Sequence, residues 1–180
     1  MMRYFQTALL LALAFCILAT AKAQSAASAG SSEGKDAVLK ATDITTKLFP
    51  AEVFYQGKTA PAELRNTGGV HFADGAYFLV GLVDTAGYST SVREKYQAYL
   101  LTEAPVEFGG QLLKAGAYGA GFVGGNFVIT DLGAHDLFQV PAKHDADMKR
   151  PIPLQVTADT SAGTYRLYRG RDYVEFRRAQ

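Results

Sequence analysis

The sequence predicts an all-β fold, a single-domain β-sandwich or small closed β-barrel. Three observations carry this. Short apolar and aromatic segments recur between Gly, Pro and Asn turn signals about every 8–12 residues, the spacing of such folds. Ala76 to Val83 (AYFLVGLV) is an unbroken apolar run of strand length, the mark of a strand covered on both faces. Ile152, Leu154, Val156 and Ala158 alternate with Pro153, Gln155 and Thr157, the period of a half-buried strand, and the prolines put it near an edge.

Taken in order, Lys35 to Phe49 reads two ways. Val38, Leu39, Ile44 and Leu48 suit a short helix ended before Pro50, whereas Thr42, Thr45 and Thr46 oppose one. Val53 to Tyr55 is a strand entering a Gln-Gly-Lys turn. After the Ala76–Val83 run, Tyr96 to Thr102 is an aromatic strand. Val106 to Phe108 enters Gly109-Gly110, and Leu112-Leu113 leads to a strand from Ala117 to Val123. Gly124-Gly125-Asn126 is a hairpin turn that returns through Phe127 to Leu132. The chain closes with Tyr165 to Tyr168, a Gly170 turn, and Tyr173 to Phe176, with Val174 and Phe176 on one face and Tyr173, Glu175 and Arg177 on the other. About nine or ten strands result.

The first residues address the chain. Met1 to Ala23 has Arg3, an apolar run from Ala8 to Ala19, and Ala21-Lys22-Ala23 before Gln24. This is the layout of a cleaved secretory signal helix, so the protein is expected to be exported to the periplasm or the extracellular space. Residues 24–34 (QSAASAGSSEG) read as a flexible leader, and 35–180 as one β-rich domain. No transmembrane span is expected after cleavage. The only cysteine, Cys16, falls in the signal segment, so the exported part has no thiol for disulfides, nucleophilic catalysis or metal binding. Phe15 before Cys16 does not suit a lipoprotein signal. An outer-membrane barrel needs lipid-out, polar-in alternation, which the doubly apolar run lacks. The chain has 18 Lys and Arg against 17 Asp and Glu, a balance that gives no argument for nucleic acid as a partner.

One phrase recurs: Asp74-Gly75-Ala76-Tyr77, Ala115-Gly116-Ala117-Tyr118 and Ala162-Gly163-Thr164-Tyr165, a turn glycine followed by a strand-opening tyrosine. The stretch from Gly109 to Tyr118 (GGQLLKAGAY) resembles the G-G-x-x-L-x-x-G-x-Y hairpin of an uncharacterised family of secreted bacterial β-rich proteins. Leu64 to Gly69 and Val83 to Tyr88 are similar to further parts of it. The resemblance implies a β fold and export and carries no known activity.

Candidate chemistry is sparse. His135, Asp136, His144, Asp145 and Asp147 are ligand types for a divalent metal if their loop folds back on itself. Neither the H-E-x-x-H nor the EF-hand pattern is present. Asp84 to Ser91 (DTAGYSTS) follows the most apolar strand, which makes Asp84, Tyr88 and Ser89 candidate ligand-binding residues at a sheet end. Ser89 and Ser91 lack a G-x-S-x-G elbow, and His71 is the nearest base in sequence. Glu103, Glu107 and Asp131 have no spacing that selects a catalytic pair. Ala117, Gly119 and Gly121 leave one strand face nearly bare, for close packing or a ligand groove. The C-terminal hairpin gathers Arg166, Tyr168 and Arg169 with Arg171, Tyr173, Arg177 and Arg178, either a wet edge face or a binding patch. The expected function is a non-enzymatic binding or envelope-associated module without a cofactor, whose partner is a small ligand, a glycan or an envelope protein. A metal-assisted hydrolase built on His135 and His144 is the alternative.

Overall fold

A computed structural model describes residues 34–179. The predicted signal helix over 1–23 and all of the leader but Gly34 lie outside the described residues. In chain order the strands are β1 (Ala37–Lys40), β2 (Glu52–Tyr55), β3 (Lys58–His71), β4 (Tyr77–Val83), β5 (Ala98–Thr102), β6 (Val106–Phe108), β7 (Gln111–Leu113), β8 (Gly116–Val123), β9 (Asn126–Thr130), β10 (Asp136–Pro141), β11 (Lys143–His144), β12 (Gln155–Asp159), β13 (Thr164–Arg169) and β14 (Asp172–Arg178). One helix, α1 (Thr90–Lys95), interrupts them.

The strands form two antiparallel sheets. The larger runs β1-β3-β4-β5-β8-β9-β10, with β2 paired to the first part of β3. The smaller runs β12-β13-β14-β6-β7, with β11 paired to β14. The expected all-β class holds, and of the two architectures the closed barrel does not form. The chain leaves β10 at Ala142 and crosses into the smaller sheet as β11, so β10 never returns to β1 and each sheet keeps its edges. The strand read around Val156 is β12, an edge strand as its prolines require.

Alternation puts one face of each sheet into a shared core. Val70, Phe78, Val80, Leu100, Phe127 and Ile129 of the larger sheet meet Val106, Phe108, Val156, Leu167, Val174 and Phe176 of the smaller. The larger sheet is also covered on its other side. Ile44, Phe49, Val53, Tyr55, Leu79, Val83, Tyr88, Tyr96 and Tyr99 form a second cluster there. This explains the AYFLVGLV run: Phe78 and Val80 face one core, Leu79 and Val83 the other.

Three local outcomes depart from the sequence pattern. The ambiguous segment after Lys35 becomes β1 and turns, not a helix. Asp43 accepts the Lys40 N–H at 2.9 Å and Thr45 accepts the Lys47 N–H at 3.3 Å, local bonds that compete with a helix. The region preceding Ala76 contains the longest strand, β3, which its Pro61 and Gly68-Gly69 disguise; a register shift between Ala62 and Thr67 bends it. Finally, Thr90 to Lys95 winds into α1 ahead of β5.

The bare face of β8 is filled rather than open. A Cβ on Gly119 would lie 2.6 Å from the Tyr55 ring, and one on Gly121 would lie 2.3 Å from the Lys95 carbonyl oxygen at the end of α1. Close packing, the first of the two readings of this face, is what the glycines serve. Gly121→Ala should therefore cost about 1–3 kcal/mol in urea unfolding, because the helix end must move to admit one methyl. An unchanged midpoint would mean that α1 yields freely.

Candidate functional site

The two histidines do not meet. His135 sits in the turn between β9 and β10, where its Nδ1 lies 2.9 Å from Asp131 Oδ2. Asp131 also accepts the N–H groups of Gly133 (2.8 Å) and His135 (2.9 Å), so the pair closes a tight loop. These bonds, that from the His135 main chain first, hold the Asp131 carboxyl below the ordinary carboxylate range. His144 lies in β11 of the other sheet, with Nδ1 at 2.7 Å from Asp172 Oδ1. Strand β10, about 17 Å long from its rise per residue, separates the two turns. Asp136 accepts Lys95 Nζ at 2.5 Å, and Asp147 donates its main-chain N–H to Asp145. Among the described residues, no three His, Cys, Asp or Glu side chains stand close enough to share an ion.

The Asp84–Ser91 segment is likewise committed to structure. Asp84 Oδ1 accepts the Ala86 N–H at 3.0 Å, an Asx turn. Tyr88 is buried, and its hydroxyl faces the carbonyl oxygens of Tyr55 (3.0 Å) and Lys58 (3.2 Å). Ser89 is the N-cap of α1: its carbonyl accepts the Val92 and Arg93 N–H groups, and its hydroxyl lies 3.2 Å from Ser91 Oγ. His71 stacks on Tyr77, its cross-strand partner at the opening end of β4, whereas Ser89 lies beyond the closing end. That strand is about 20 Å long, so His71 is no base for Ser89. Tyr88 joins a cluster with no local signature in the chain: Tyr55 and Tyr96 stack with centroids 3.7 Å apart, and Tyr88 meets both edge-on.

The C-terminal hairpin is where polar and aromatic groups gather on one surface. Cross-strand pairing sets Arg166 opposite Glu175 and Tyr168 opposite Tyr173, so these four share the outer face of the smaller sheet. Arg166 donates to Asp159 at 2.6 Å and lies 5.1 Å from the Tyr173 ring centroid. Lys143 reaches the same ring at 6.0 Å and donates to Glu175 at 2.6 Å. Arg177 forks onto both oxygens of Glu107 at 3.0 and 2.8 Å. Tyr168, buried behind Tyr173, donates its hydroxyl to Asp145 at 3.1 Å. Glu175 raises the affinity of Lys143 for its proton. Arg169 does not belong to this set. It falls on the opposite parity and borders a narrow crevice with Gln97, Phe122 and Leu167. The hairpin arginines noted in the sequence thus divide between two faces.

Beside Tyr173 the face opens into a cleft of about 380 Å³ between the Gly109-Gly110 turn, the Pro141–Lys143 corner and the edge of β14. Glu107, Glu175, Lys143 and Arg177 surround it. Each cation is paired with a carboxylate, so the rim is rich in hydrogen-bonding groups without a net excess of one sign.

No family model, no curated protein and no solved structure matches this chain. The geometry alone therefore carries the functional reading. No described helix is long and apolar enough to cross a membrane.

The titrating groups set two flanks to stability. Burial, the largest cause in each case, raises the hydroxyl pKa of Tyr55, Tyr88, Tyr96 and Tyr99 above the ordinary 10.0. A raised folded value means a contribution that is complete below the unfolded pKa and lost as pH climbs through the folded one. Asp131 and Asp159 are held below 3.8, so their contribution is present above that value and lost on acidification. Unfolding above pH 10 should coincide with phenolate absorbance from these tyrosines. Their ionisation at the ordinary value without unfolding would contradict the buried cluster.

Proposed function

We propose that the protein is an exported, non-enzymatic β-sandwich that binds a neutral glycan on the outer face of its smaller sheet, akin to the secreted bacterial β-rich proteins that its hairpin resembles. The single observation that supports this reading is the partly exposed Tyr173 ring, flanked by charge pairs that neutralise one another and adjoining the cleft that Lys143 and Glu175 line. A pyranose offers an apolar C–H face to an aromatic ring, while its hydroxyls both donate and accept. A rim of paired cations and carboxylates suits such a ligand, since it supplies donors and acceptors without demanding a counter-charge. A free anion or cation would have to break an existing pair first.

The alternative, a metal-assisted hydrolase, has no comparable support. Its two imidazoles each bond a separate aspartate on a separate sheet.

The test is titration calorimetry against a panel of neutral oligosaccharides. Tyr173→Ala should weaken saccharide binding by about tenfold or more, equivalent to ~1.4 kcal/mol, with the cooperative unfolding transition retained. His135→Ala should bind as the parent protein does. Equal affinity in Tyr173→Ala, or no saccharide bound by the parent protein, would overturn the proposal.

A further inference from the structure

Strand β14 is interrupted along one edge. Its other edge is paired continuously with β13 from Asp172 to Phe176. On the free side, β11 pairs with Asp172 and Tyr173, and β6 pairs with Phe176 to Arg178. Val174 and Glu175 have no strand partner there. Two main-chain bonds fix which of them faces the gap. Asp145 N–H donates to the Arg171 carbonyl at 2.9 Å, and Ala179 N–H donates to the Pro105 carbonyl at 3.0 Å. Main-chain groups of alternate residues point to the same side of a strand. Arg171, Tyr173, Glu175, Arg177 and Ala179 therefore all turn their N–H and C=O toward this edge.

Continuing β6 by one residue would set Gly109 opposite Glu175, and continuing β11 backward by two would set Pro141 there. Neither pairs with it. Gly109 (φ 52) and Gly110 (φ 84) form the tight turn into β7, a conformation that favours glycine. Pro141 belongs to β10 and pairs with Asn126 in the larger sheet. The result is the cleft described above, with the Glu175 N–H at its back, two side-chain-free residues on one wall and Lys143 and Glu107 at its rim.

We infer that this gap recognises the acetamido group of an N-acetylated amino sugar, an inference that rests on the glycan reading and names its specificity. The Glu175 N–H donates to the acetamido carbonyl oxygen, and Gly110, where a Cβ would meet nothing within 4 Å, leaves room for the methyl group, whereas Val140 fills the place of a Gly109 side chain. Hydroxyls of the ring then meet Lys143 and Glu107. A peptide strand fits less well, because β6 and β11 close the gap at both ends after two residues. A carboxylate fits less well too, because both neighbouring cations already hold Glu175 and Glu107. A neutral amide carbonyl needs only the one donor.

The experiment is an amide-resonance titration of the isotope-labelled protein with millimolar N-acetylglucosamine and, separately, glucose. N-acetylglucosamine should shift the Glu175 and Gly109 amide signals, glucose should not, and Lys143→Ala should weaken the N-acetylglucosamine response by about tenfold. Equal responses to both sugars confined to Tyr173 would overturn the acetamido inference and leave the glycan reading standing. Shifts by N-acetylglucosamine that spare Glu175 would do the same. Failure of every neutral sugar to shift any signal, with the calorimetric panel also silent, would remove both.

Discussion

The contact on which the rest of the molecule depends is the packing around Phe108. Its ring lies 5.4 Å from Phe176 in the same sheet and 6.2 and 5.2 Å from Phe78 and Phe127 in the facing one. It is thus the point where the two sheets hold each other, in a chain whose described part has no covalent cross-link to substitute for packing. Burying a Phe fully is worth about 1.5–3 kcal/mol, and its removal from a core costs more because the neighbours relax only partly. Phe108 also ends β6. The strand that must deliver this ring inward turns away one residue later through Gly109-Gly110, and the gap beside Glu175 exists because it does. Core and cleft are two consequences of one short strand.

The second constraint is that the larger sheet is apolar on both sides, which is unusual for an antiparallel sheet with one face free to meet water. Its far face is closed by the segment around Ile44 and Phe49, by the β2 hairpin and by the chain that carries Tyr88 and Tyr96. Tyrosines fill this layer, and two of their hydroxyls find partners at its margins, Tyr55 with Thr130 at 2.7 Å and Tyr88 with main-chain carbonyls, while the buried Tyr96 hydroxyl has none. The glycines of β8 let Tyr55 and the end of α1 approach the sheet directly. A groove is thereby excluded over Gly119 and Gly121, and the open space on this side, about 370 Å³, lies instead among Leu48, Tyr77, Leu79 and Leu101.

Much of the fold was legible because it follows from period and punctuation. The two hairpins at Gly124-Gly125 and Gly170, the doubly buried β4 and the edge position of β12 all follow from local rules. Strand β3 was not legible, since Pro61 and paired glycines mask alternation in a strand that changes partners halfway. Helix α1 was hidden in a polar stretch with no apolar stripe, and it buries none of its side chains. The site was legible in part. Tyr173, Arg166 and Tyr168 were visible as a basic, aromatic hairpin, but period two had to be applied to separate Arg169 from them. The gap in β14 had no signal at all, because it arises from two strands, remote in sequence, that share one edge.

The same geometry explains why residues with catalytic potential need not signal catalysis. A histidine beside an aspartate resembles half of a relay, and the chain has two such pairs. Each, however, lies on the surface at the end of a hairpin, and the side chain of His135 is 81% exposed. An aspartate that accepts N–H groups from its own turn is already fully engaged in closing that turn, and an imidazole against it adds one more bond to the same loop. A relay needs in addition a third group held at the outer ring nitrogen in a site shielded from water. What distinguishes the outer face of the smaller sheet is the converse condition. There the charges are arranged in pairs, the ring between them is partly exposed, and a main-chain edge nearby lacks a strand, the combination that supports the proposed neutral, hydrogen-bonding ligand.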